Sequence, residues 1–435
     1  MKNLYIYWYE WKHFFRSPFK LIALVLFVVA SMYGLHSGAN LYNEQVAEIE
    51  RIQEKIEKDR QEYTDYHEEG KRGPESAPWV DLSAPFWSVW FSYIYHFKQP
   101  SPAMVYSMGQ AEQYGFYKRI TFWASPYDAD MTKEIANPER LQTGTLDFTF
   151  SLLYLLPLLL LVLLYNLKSA EAEQGFLSLI QVQVASKNTW LLSRVAFYVS
   201  LVAVVLLALT LYGAVLTKAF ATTSQVLSYS FLYLLFWSMI YYFILKSGKR
   251  IIGNTLIMAG AWLVFAFILP AVVHQWVSYK KPANLMMDFI DAQRDERDEF
   301  FQQSDSILQT HLNALFPEIV ESPAAKDSTK INFARSYSTS ALANELMKES
   351  VLPIEKDLEA KNDLIRSLFW ASPISFFQNR FNHISQTHYD DYQSYRKEIQ
   401  DLIDKQIKTM VIDTWDDLKV DKDRFMAYRE LLEPY

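Results

Sequence analysis

"FTFSLLYLLPLLLLVLLYNLKSAEAEQGFLSLI", residues 148–180, decides what kind of chain this is. Its first 18 residues carry no charge. At about 1.5 Å per residue such a helix reaches most of the way across a hydrocarbon core of about 30 Å. A soluble helix is seldom apolar all round for that length. The run ends in Lys168, Glu171, Glu173 and Gly175, and apolar residues resume at once.

Four more apolar stretches occur outward from it, over 19–35, 191–216, 226–245 and 252–273. They predict an all-α integral membrane protein with five to six transmembrane helices and two large, mainly helical extracytoplasmic domains. The expected order starts with an amphipathic interfacial helix (1–18), a span (19–38) and a first outer domain (39–147). A second span (148–166), a cytoplasmic segment (167–190) and two further spans (191–216 and 226–245) follow. A short cytoplasmic loop (246–251), a fifth span (252–273) and a second outer domain (274–435) complete it. Lys2, Lys12, Arg16 and Lys20 precede or open the first apolar stretch. The aromatic start "LYIYWYEWKHFF" and the want of a clean small-residue cleavage site make that stretch a retained span rather than a signal peptide.

Basic residues set the expected orientation. Lys168, Lys187 and Arg194 flank one connection, and Lys246, Lys249 and Arg250 occupy another, whereas the connection 217–225 has Lys218 alone. The N-terminus and both basic connections are therefore expected in the cytoplasm, with the C-terminus outside. The two outer segments are acidic, net −7 for 39–147 and −8 for 275–435, against +8 for the rest. That balance argues against a nucleic-acid binder.

Residues 40–70 read as a charged continuation of the first span, with pairs such as Glu54–Lys58 at helical spacing. The aromatic stretch that starts at Pro85 reads as a domain core before a binding surface. Residues 286–316, 351–370 and 372–407 read as amphipathic helices, and 324–340 as a polar connection between them. His383 and His388 lie near Asp390 and Asp391, but a five-residue spacing does not stack two side chains on one helical face, so no metal is expected there. With no cysteine, disulfides, thiolate nucleophiles and Cys-ligated metals are excluded. No P-loop, GxGxxG, HExxH or GxSxG occurs, so the chain is expected to be no enzyme, with no catalytic residue of its own.

The pattern Glu171-x-Glu173-x-Gly175-x-Leu177-x-Leu179, which follows one span and leads into "LLSRVAFYVSLVAVV", resembles the signature of ABC-2-type transporter permeases. Residues 137–175, 99–121 and 371–399 are similar to a bacterial branch of these permeases with large extracytoplasmic domains. "YEWKHFFRSPFK" resembles that family's interfacial elbow helix, with Trp8, Trp11, Phe14 and Phe15 set against Lys12 and Arg16. The sequence departs from the family pattern at Ala172, where a basic residue is common, and over 181–184, where a proline is. The family usually has six spans, against five legible here.

The resemblance implies a permease subunit in a bacterial inner membrane. Glu171, Glu173, Gly175, Phe176, Leu177, Leu179 and Ile180 would couple it to a dimeric cytoplasmic ABC ATPase. ATP and Mg would be bound by that ATPase, and no cofactor by this chain. A second copy or a different homologous permease would be its mate, and an envelope protein a further partner on the outer face. The spans hold almost no ionisable group, so a lipidic or peptide-like cargo is expected rather than an ion. The alternative is a membrane-anchored envelope interaction protein without transport activity.

Overall fold

The computed structural model describes residues 2–74, 77–126, 146–183, 186–248, 250–281 and 303–432. Helix α1 (Lys2–Phe15) is followed by α2 (Pro18–Glu68), which starts where Ser17 is extended and Pro18 takes the first helical position. At 51 residues α2 spans about 77 Å, far more than a membrane needs. Its first half is apolar and its second half polar, as expected of 40–70, and the helix does not break between them.

Four further helices are long and apolar enough to cross a membrane: α4 (Phe148–Glu173), α6 (Lys187–Thr217), α7 (Phe220–Ser247) and α8 (Ile251–Lys280). They complete a set of five with α2, which is compatible with a membrane protein. Within α4's most apolar window 67% of residues are buried, against 11% for α8, so α4 is the axis of the bundle and α8 its rim. Being central requires α4 to be satisfied internally, and it is irregular: Ser151–Leu155 form a π-helical stretch and Pro157 lacks an N–H. The carbonyls left over find side chains on the neighbours. Tyr233 Oη donates to Leu153 O at 2.6 Å, Tyr241 Oη to Pro157 O at 3.1 Å, and Trp262 Nε1 to Tyr154 O at 3.1 Å. Without water in the bilayer, such donors are what makes a proline-broken span tolerable.

The spans meet the polar part of the chain at a close crossing. Gly34 and Gly38 lie one turn apart on α2. A Cβ on Gly34 would sit 2.5 Å from the Asp147 carbonyl carbon, and one on Gly38 2.7 Å from Met104 O. Two missing side chains thus let α2 touch the start of α4 and the turn over Pro102–Val105. Asp147 caps α4 by accepting from Phe150 N (2.6 Å), and also accepts from Met108 N (3.1 Å). Burial outweighs these donors and raises its pKa to about 6.

The polar part comprises the second half of α2, α3 (Pro85–Phe91), a hairpin of β1 (Ile94–Phe97) and β2 (Tyr117–Ile120), and six more helices. These are α9 (Asp305–Leu315), α10 (Ile331–Tyr337), α11 (Thr339–Ser367), α12 (Pro373–Ile384), α13 (Tyr389–Trp415) and α14 (Lys422–Glu430). The strands are antiparallel, with Ile94 opposite Ile120. Helix α13 forms the middle: Ile399, Ile403, Met410 and Trp415 are buried with Val89, Ile94, Ile120 and Phe122 in one hydrophobic cluster. The aromatic stretch is therefore core, as expected. The two polar segments, read from sequence as separate outer domains, share that core.

Three other expectations change. The hairpin is unforeseen. Residues 324–340 are not a bare connection, since they contain α10 and a 3₁₀ turn at Ala324–Lys326. Residues 372–407 are two helices, not one. The amphipathic reading of 286–302, the resemblance over 137–145 and the charge of Lys249 fall outside the described residues. Helix α12 ties the polar domain to the bundle, with Phe377 edge-on to Tyr233 at 4.9 Å between ring centroids.

Gly34→Ala is expected to cost about 1–3 kcal/mol through overpacking, because the opposing atoms are backbone and cannot turn aside. Gly260→Ala on α8, where nothing lies within 4 Å, should be neutral or slightly stabilising. Thermal unfolding of the two variants in one detergent compares them directly. Equal midpoints would refute the close crossing.

Candidate functional site

Of the segment expected to carry coupling, 167–190, the described residues 167–183 lie at the bundle end opposite the polar domain. They form a short helix, a turn and a second helix. Helix α4 ends in Ser169–Glu173, Gly175 turns the chain at φ +78°, and α5 (Leu177–Gln183) follows. A positive φ of that size suits glycine and costs other residues about 1 kcal/mol or more. Nothing lies within 4 Å of where its Cβ would be, so Gly175 serves the turn and not a close approach.

Helices α6, α7 and α8 are each tied directly to the segment. Lys168 Nζ donates to Leu245 O (3.2 Å) and Lys246 O (2.6 Å), the last carbonyls of α7. Glu173 accepts from Ile251 N at 2.7 Å and so caps α8, whose own N-cap residue, Arg250, supplies no side-chain bond. Asn254 of α8 donates to Ser169 Oγ, and both residues are buried. Glu171 turns inward to Arg194 of α6. Arg194 also holds Glu10 of α1 and donates to Leu167 O.

That ion cluster is mostly buried, with the Glu171 side chain 18% exposed. Glu10 is 0% exposed, Lys20 1% and Arg194 5%, and Lys20 Nζ donates to Leu163 O (2.8 Å) and Tyr198 Oη (3.1 Å). Two acids balance two bases, which removes the net charge that burial would otherwise penalise heavily. Burial and then the Lys20 charge push the pKa of His13, also on α1, down.

Sequence reasoning missed Glu10, Lys20 and Arg194 as site residues. The signal was available: the membrane-associated part of the chain has only three acids, Glu10, Glu171 and Glu173. All three are engaged at this one corner. Glu171 is half-buried against Arg194, while Glu173 stays exposed and caps α8 through Ile251 N.

What the segment presents outward is apolar. Phe176 (56% exposed), just before α5, and Leu179 (58%) and Val182 (86%) on it form a stripe at every third residue, while Leu177 and Ile180 are half-buried. The elbow residues divide likewise. Trp8, Trp11, Lys12, Phe15 and Arg16 are exposed, with Lys12 Nζ 4.8 Å from the Trp8 ring centroid, as suits an interfacial helix. Phe14, expected among them, is 2% exposed and packs into the bundle near Tyr198.

The histidine cluster is a second candidate. His383 and His388 do approach, because α12 ends at Ile384 and the chain reverses before α13. Their rings stack at 4.6 Å and 10°, and Asp390 lies within the same group. A metal sits in the plane of an imidazole that binds it, and two parallel planes share no such point. His388 is also occupied: Nδ1 accepts from Asp390 N (3.2 Å) as the cap of α13, and Nε2 meets Asn379 Nδ2 at 2.5 Å. Asp390 pairs with Arg366. The cluster caps a helix, and burial lowers the His388 pKa.

Compared with family models, curated proteins and solved structures, the chain matches none.

Arg194→Met leaves Glu10 and Glu171 without their cation and should cost about 3–5 kcal/mol, read as a lowered thermal midpoint. Combining it with Glu10→Gln and Glu171→Gln should restore most of the loss, and an unrestored midpoint would argue against mutual charge balance. For His388 the folded pKa lies below the unfolded value of 6.5. Its cap is therefore fully present above pH 6.5 and is lost as pH falls through the folded pKa. Arg366 and His383 oppose its protonation while Asp390 and Asp391 favour it. Hydrogen exchange at the first turn of α13 should quicken below pH 6.5 in the wild type and not in His388→Asn, which caps without titrating.

Proposed function

We propose that this chain is the membrane-spanning permease subunit of an ABC-type transporter, working with a separate dimeric ATPase that supplies ATP and Mg chemistry. The observation that carries the reading is the form of residues 167–183: an exposed apolar stripe on a short helix, tied by ion pairs and caps to α1, α6, α7 and α8. A push on Phe176, Leu179 and Val182 would reach the bundle through those ties rather than being lost in a loose loop. Short amphipathic helices of this kind dock in partner grooves. The basic residues at that end favour the cytoplasmic side of a bacterial inner membrane, which puts the polar domain outside.

Coupling then means that the ATPase, in its ATP-bound form, favours one arrangement of the bundle over another. The unbroken α2 and the α12–α7 contact offer a mechanical route from that end to the polar domain. A mate subunit, either a second copy or a homologous permease, and an apolar or peptide-like cargo complete the proposal. A membrane-anchored interaction protein is the second reading. It is favoured by the size of the polar domain and by large exposed side chains on it such as Trp79 (70%) and Trp370 (83%).

The test is purification of the full chain in mild detergent, with identification of co-purifying chains and an ATP hydrolysis assay. A stoichiometric ATPase, lost at least tenfold in Phe176→Ser/Leu179→Ser while the thermal midpoint is kept, is the expected result. Purification of the intact complex without an ATPase, or an ATPase indifferent to these changes, would refute the coupling role and favour the interaction reading.

A further inference from the structure

Behind the coupling segment lies a cavity of about 640 Å³. Lys168, Lys187, Lys246 and Arg250 line it from four different elements, and Glu173 is the one acid among its lining residues. That carboxylate is already engaged with Ile251 N. Among the described residues, Lys187, Lys246 and Arg250 have no ion-pair partner. Those three cations exceed the single lining acid in charge, in contrast to the balanced cluster around Arg194 nearby.

The floor of the same cavity is apolar, formed by Leu177, Ile180 and Leu191. Exposed apolar side chains follow two of the lining residues in the chain. Leu192, next to Leu191, is 53% exposed, and Ile252 and Leu256, just beyond Arg250, are 74% and 67% exposed. A ligand complementary to this arrangement has an anionic head for the cations and apolar chains for Leu192, Ile252 and Leu256. A hydrated peptide acid or a free phosphate satisfies only the first half. Basic pockets between spans at the cytoplasmic face characteristically take anionic headgroups.

We infer that this cavity is a binding site for an anionic phospholipid of the surrounding leaflet, its phosphate held by Lys187, Lys246 and Arg250 and its acyl chains laid along α6 and α8. The inference depends on membrane insertion but not on an ATPase. The inner face of α5, Leu177 and Ile180, meets the lipid. Its outer stripe remains available.

The experiment uses the full chain, delipidated in neutral detergent and titrated with phosphatidylglycerol or phosphatidylcholine, with bound lipid counted by native mass spectrometry. Phosphatidylglycerol is expected to bind at least tenfold more tightly than phosphatidylcholine. Lys187→Gln/Lys246→Gln/Arg250→Gln should abolish that preference, with the thermal midpoint in phosphatidylcholine unchanged. The control, Lys12→Gln/Arg16→Gln, removes two cations of the same bundle end outside the cavity and should keep the preference. Equal loss in the control would mean diffuse surface charge and overturn the site. So would a triple variant that still prefers phosphatidylglycerol. Complete displacement of the lipid by millimolar inorganic phosphate would show a free-anion site and overturn the lipid assignment. If the triple variant does not fold, Lys246→Gln and Arg250→Gln are measured singly, and undiminished preference in both overturns the proposal.

Discussion

The ion cluster of Glu10, Lys20, Glu171 and Arg194 is the constraint on which one end of this molecule depends. Glu10, Lys20 and Arg194 are buried and Glu171 is largely so, and an isolated charge in that place would cost far more than a helix contact returns. The four are tolerated because they cancel and because Leu163 O, Leu167 O and Tyr198 take up further donors. Such a cluster is a poor source of net stability but a strict registration device: only one placement of α1, α2, α4 and α6 brings all four together. The turn at Gly175 and the exposed face of α5 are positioned as a consequence.

The other end follows a different rule. There the chain uses absence, Gly34 and Gly38, to bring helix backbone against backbone, and Asp147 closes the start of α4. Between the two ends, α4 survives its own proline and π-helical stretch because Tyr233, Tyr241 and Trp262 reach its stranded carbonyls. Aromatic side chains that composition alone would count as apolar are thus the hydrogen-bond donors that allow an irregular helix to be the axis.

The five long apolar helices were legible because lipid-length apolar runs have few other solutions. So were the continuation of α2 past the apolar region and the aromatic core of the polar domain. The candidate segment was legible as a place but not as a set of roles. Glu171 and Glu173 have the same local sequence whether they face a partner or tie the bundle, and the difference lies in Arg194 and Ile251, 23 and 78 residues away. Phe14 likewise shares its local character with Phe15, and only the position of Tyr198 decides that one is buried and the other exposed. The shared core of the two polar segments was invisible because amphipathic periodicity reveals that a face is buried, not what covers it.

By itself the sequence determined the helical class, the number of candidate spans, the polar segments between and after them, and a glycine at 175 that permits a turn. Each of these depends on local length, local hydropathy or a local φ preference. Tertiary structure alone decided which charges are paired, which face of α5 is left open and that one polar domain forms where two were expected. Those outcomes depend on side chains far apart in the chain, whose energies are set by burial and by partners that no local pattern encodes.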